Sequence, residues 1–131
     1  MSQRIAHIAL LVNDYDAAIE FYTKKLNFEL VEDTRLSDVK RWVVVRPKGG
    51  ECSLLLAKAA DEQQAKFVGN QSGGRVFLFL HTTQFDVDYN NLVAQKISIV
   101  RPIVEEVYGR VCVFADLYGN KWDLIEKVPN S

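Results

Sequence analysis

Three side chains able to do chemistry stand at the edges of apolar stretches: His7 in RIAHIALLV, Arg75 in RVFLFLH and Asp123 in KWDLIE. An imidazole can accept a proton near neutral pH or ligate a metal, although most buried histidines are hydrogen-bonded on both nitrogens and silent. An arginine and an aspartate emerging from apolar strands must be paired or turned toward a ligand. Left unpaired and buried, either charge costs several kcal/mol. The chain has no P-loop, dinucleotide glycine pattern or nucleophile elbow, so its glycines read as turn residues.

These residues sit in a chain of 131 amino acids, enough for one domain or two very small modules sharing a core. The composition, 48% apolar and 25% charged, is that of a soluble globular protein. A net charge of −1 gives no basis for binding nucleic acid or an anionic membrane surface. No apolar stretch approaches the roughly 20 residues of a membrane span, and no signal peptide opens the chain. A cytoplasmic protein is expected, with Cys52 and Cys112 reduced and serving as small core residues.

The pattern that positions the three groups is strand, helix, three strands, played twice. Ile5–Val12 reads as a strand covered on both faces, and Asn13 or Asp14 caps the helix that follows. In DYDAAIEFYTKKL, Ala18, Ile19, Tyr22 and Leu26 make one apolar face. FELVEDTRL, RWVVVRP and ECSLLLAK are the next strands, the last reached through Gly49-Gly50. RVFLFLH opens the second round. QFDVDYNNLVAQK is its helix, with Phe85, Tyr89, Leu92 and Val93 on one face, and ISIVRP, RVCVFA and KWDLIE complete it. The polar DEQQAKFVGNQS between the rounds is a connector with a short helix. His7 precedes Arg75 by 68 residues and Leu55 precedes Asp123 by 68. One constant offset predicts duplicated βαβββ modules, 1–60 and 73–128 joined by 61–72, within one domain of 1–131.

HIALLVNDYDAAIEFYTKKLNFEL at the front and DLYGNKWDLIE at the back resemble the vicinal oxygen chelate superfamily. That superfamily contains glyoxalase I, extradiol dioxygenases, and the fosfomycin and bleomycin resistance proteins. The resemblance spans essentially the whole chain and implies an α+β fold of paired curved mixed sheets around a cavity. It also implies metal-ligand places at the first and last strand of each module: His7, Leu55, Arg75 and Asp123. Leucine donates nothing there and a guanidinium never donates a lone pair. The expectation is therefore no metal cofactor, the alternative being a divalent metal on His7 and Asp123.

On this resemblance Arg75 and Asp123 close the former metal site as an ion pair, or Arg75 anchors a carboxylate, phosphate or enolate oxygen. A polar cluster of His7, Asp123 and Arg75 is expected in either case. Phe77 shares parity with Arg75 and lines the same wall, as does Phe79. Trp42 is placed as an aromatic lid, Trp122 in the core, and His81 at the surface. Lys40 and Arg41 read as a solvated strand end. The expected function is binding or transforming a small anionic organic molecule in the cavity, with His7 as the candidate catalytic base. The alternatives are a lyase or dioxygenase with an unusual metal set, and a non-catalytic sequestering protein. A homodimer is expected, with no nucleic-acid or membrane partner; fold alone does not choose among these functions.

Overall fold

A computed structural model describes residues 2–127. The chain divides into two compact units, Met1–Val68 and Gly69–Ser131, with the boundary inside the connector.

In the first unit, β1 (His7–Val12), α1 (Tyr15–Glu20), β2 (Glu29–Arg35), β3 (Arg41–Arg46) and β4 (Ser53–Lys58) follow in that order, and α2 (Glu62–Ala65) ends it. The sheet runs β1-β4-β3-β2, with β1 parallel to β4 and the other pairs antiparallel. Asp14 caps α1, its carboxylate accepting from the Ala17 N–H at 2.7 Å. The helix continues as a π-helical turn over Phe21–Lys25. Leu10, Val12, Val43, Val45, Leu54 and Leu56 form the sheet's buried face. Against it stand Ala18 and Tyr22, both fully buried as the helical spacing predicts. Each buried valine or leucine of that face contributes roughly 1.5–3 kcal/mol on burial.

In the second unit, β5 (Leu78–Thr82), α3 (Phe85–Ala94), β6 (Ser98–Glu106), β7 (Gly109–Ala115) and β8 (Lys121–Glu126) repeat the plan. Their order, β5-β8-β7-β6, is the same. Phe85 and Leu92 of α3 are buried with Cys112, Phe114, Trp122 and Leu124. Trp122 is in the core, stacked on Phe114 at 5.8 Å.

Three expectations are corrected. Val93 is exposed, because Phe85, Tyr89 and Leu92 already fill the helix's inward arc. Cys52 is exposed in the turn before β4, while Cys112 is buried. β5 begins at Leu78 rather than Arg75. The first ladder bond of this stretch is the Phe77 N–H to the Lys121 carbonyl, and the Arg75 carbonyl is held locally by the Ser72 hydroxyl.

The two units share one βαβββ plan, but the offset between them drifts. Val12 and Thr82 occupy the same place, each accepting from the residue just after the last strand, Ala59 and Lys127. That is 70 residues at the first strand and 68 at the last. One residue is lost at the helix: the π-helical turn of the first unit holds an extra residue that α3 lacks. The left-handed residues that end the two helices, Asn27 and Lys96, are accordingly 69 apart. The other is lost in the turn before the last strand, which spans 47–52 in one unit and 116–120 in the other.

Candidate functional site

Each sheet has one face covered by its helix and one that the helix leaves open. In the first unit the register puts His7 beside Ser53, Ala9 beside Leu55 and Leu11 beside Ala57, all on the open face. Val44, paired with Leu55, shares it, and so by alternation does Trp42. His7 and Ala9 are exposed, Trp42 and Leu55 half-buried. Leu55 stands opposite Ala9, one pleat or about 7 Å along from His7. The Trp42 indole reaches back across the sheet to meet His7 edge-on, ring centroids 6.2 Å apart. The result is a shallow aliphatic floor rimmed by two aromatic rings. Among the described residues the His7 side chain makes no hydrogen bond, so the expected hydrogen-bonded cluster does not form around it.

In the second unit Asp123 lies on the open face, opposite Phe79 on β5 and Val113 on β7. Phe77 is on the same face and half-buried, Phe79 is 62% exposed, and His81 is exposed at the far end. Half-burial pushes the Asp123 carboxyl above the usual aspartate range, an effect partly offset by the positive charge of Arg101. The Cys112 thiol is raised to about 11 by its own burial and then by Asp123, which leaves it protonated and inert.

Arg75 does not stand where its sequence position suggests. With the first strands offset by 70, the counterpart of His7 is Phe77, and Arg75 lies outside β5 in an exposed bend. It is four residues before the strand partner of Asp123, as much as about 13 Å of extended chain. No ion pair joins Arg75 to Asp123. The residue that sequence reasoning missed is Arg101, paired with Val113 and therefore on the open face in the same row as Asp123. Its signal was a charge in the alternating ISIVRP strand, but two register shifts flank it and conceal its face.

Arg41, beside Trp42, points the other way. Its guanidinium bonds Asp33 at 2.7 and 3.1 Å and Asp16 at 2.9 Å, and lies 5.2 Å over the Tyr15 ring. It is a helix-side brace rather than a solvated strand end. Arg110 repeats the device in the second unit, joining Glu126 and Asp86 while lying 4.8 Å over Phe85. The side-chain bonds from Arg110, then its backbone N–H, bring the Glu126 carboxyl from 4.5 to about 2. A depressed folded-state value stabilises above the ordinary pKa, and that stability is lost as pH falls from about 4.5 toward 2. Urea midpoints of the wild type and Arg110→Gln should therefore differ at pH 6 and converge near pH 2. A gap unchanged across that range would remove the ion pair as its cause.

The counterpart positions of the two units thus carry His7, Leu55, Phe77 and Asp123. Leucine and phenylalanine supply no donor atom, and among the described residues no three His, Cys, Asp or Glu side chains group closely enough to hold a metal ion. The residues present do not fit the metal centre that the fold family implies.

Like βαβββ units, each with its last strand between its first and third, define the paired-module α+β architecture. The chain belongs to the Glyoxalase/Bleomycin resistance protein/Dioxygenase superfamily, whose family model matches residues 4–124. It is 57% identical over 128 residues to an uncharacterized protein of Shewanella frigidimarina (strain NCIMB 400), covering 96% of this chain and 95% of the relative. The structure of UcmS2 superposes with a TM-score of 0.82 at 29% identity, covering 95% of this chain and 98% of that one. TnmS3, an antibiotic binding protein from Streptomyces sp. CB03234, superposes with a TM-score of 0.79 at 25% identity over 96% and 97% of the two chains. No helix among the described residues is long and apolar enough to cross a membrane.

Proposed function

We propose that this protein binds a small, flat organic molecule on the sheet faces its helices leave open. The observation that carries the reading is the His7–Trp42 edge contact above the aliphatic floor of Ala9, Leu55 and Ala57. Rings held at a sheet surface at 6.2 Å and nearly perpendicular offer a face and an edge to a planar ligand. Likeness to an antibiotic-binding protein supports a sequestering role. The proposal includes a homodimer, on the family resemblance, and a cytoplasmic location, on the expectation of reduced cysteines.

The chain has two tryptophans, and Trp122 is only 3% exposed, so ligand quenching of indole fluorescence reports on Trp42. Titration with 2-naphthol, a neutral planar probe, should quench that emission saturably. Trp42→Ala should weaken binding, followed by calorimetry, at least tenfold, equivalent to about 1.4 kcal/mol. Unchanged affinity in that variant would overturn the reading.

A further inference from the structure

The open face of the second sheet carries a row of four side chains in register: Phe79 on β5, Asp123 on β8, Val113 on β7 and Arg101 on β6. Asp123 and Arg101 are two strands apart, about 10 Å between Cα atoms, with only Val113 between them. The positive charge of Arg101 is felt at Asp123, yet neither makes a side-chain hydrogen bond or ion pair among the described residues. Lys121, also on β8, is committed elsewhere, its ammonium donating to the Gly74 carbonyl at 3.0 Å. Beside the carboxylate Phe79 leaves 62% of its surface in solvent. The row therefore offers one half-buried acceptor, one forked donor, a narrow apolar bridge and an aromatic surface.

We infer that Asp123 and Arg101 form a two-point polar clamp for a flat amphoteric ligand. A hydroxyl, amine or ammonium at one end donates to the Asp123 carboxylate, and a carbonyl or carboxylate at the other accepts from the Arg101 guanidinium. The inference rests on the small-molecule reading above and, for the open face of the second sheet by itself, names the polar chemistry of its ligand: a donor and an acceptor at opposite ends of an aromatic body. An anionic oxygen, if the ligand has one, meets Arg101 and not Arg75.

Three naphthalenes test this by calorimetry, which does not depend on Trp42: 6-amino-2-naphthoate with both polar ends, 2-naphthoate with the acceptor, and 2-aminonaphthalene with the donor. The two-ended probe should bind at least tenfold tighter than either single-ended one. Asp123→Leu places there the residue that the first unit already carries at Leu55, so the sheet should tolerate it. It should weaken the aminonaphthoate and the amine about tenfold and leave 2-naphthoate within twofold. Arg101→Met, on an exposed strand, should weaken the aminonaphthoate and 2-naphthoate and spare the amine. Equal losses for all three probes would mark both residues as merely structural. No advantage for the two-ended probe would overturn the clamp while leaving the small-molecule reading intact. Failure of all three and of 2-naphthol to bind would overturn both.

Discussion

Asp116→Ala should destabilise the protein by about 3–5 kcal/mol, lowering the melting temperature by on the order of 10 °C or more. Asp116 is 6% exposed, and its carboxylate organises the DLYGN turn. One oxygen accepts from the Tyr118 and Asn120 backbone N–H groups and the other from the Asn120 side-chain amide, all at 2.9 Å. Hydrogen bonds to a charged acceptor contribute roughly 1.5–3 kcal/mol each, and alanine also strands donors of Asn120, a residue only 2% exposed. Asp116→Asn tests the assignment. It keeps an oxygen for the two backbone groups but sets one NH2 against another, so it should recover about half of the loss. A thermal melt showing less than about 1 kcal/mol lost in the alanine variant would sink this account.

That turn also shows what the sequence could and could not disclose. DLYGN was legible as a glycine turn inside the stretch that carries the family resemblance, and its parts are local: an aspartate two and four residues before the N–H groups it holds, then a glycine with φ of +99°. Strand and helix order was legible for the same reason, since periodicity is a property of neighbours. Facing was harder. His7, Leu55 and Asp123 came out on open faces because their strands are regular. Arg75 was misplaced because a constant offset was carried across a π-helical turn and a shortened loop, each of which costs one residue of register. A shift of two preserves parity, so alternation gave no warning. Arg101 was missed for the opposite reason. The shifts on either side of it in β6 mean that counting along the strand no longer tells which way a side chain points. Charge alone was no guide either: Arg41, expected at a solvated strand end, and Arg110, which its sequence position did not single out, are each saturated by two carboxylates on the helix side.

Gly69→Ala should be as damaging as the loss of Asp116, by about 3 kcal/mol or more, although it removes no contact. Gly69 has φ of +80°, where an alanine costs roughly 1–2 kcal/mol. Its Cβ would also fall inside the van der Waals shell of the Tyr118 carbonyl oxygen, a backbone atom that cannot rotate away. The start of the second unit therefore lies directly on the DLYGN turn that launches β8 and aims Asp123. Gly73 separates the two causes, since it has φ of +68° but open space where its Cβ would go. Gly73→Ala should cost only the backbone strain, about 1–2 kcal/mol, and leave binding of 6-amino-2-naphthoate unchanged. Gly69→Ala should exceed it in urea denaturation and weaken that probe as well, because relief of the clash has to move the turn. Equal losses at the two glycines would mean that the connector does not brace the turn, and that Asp123 is held by its strand neighbours alone.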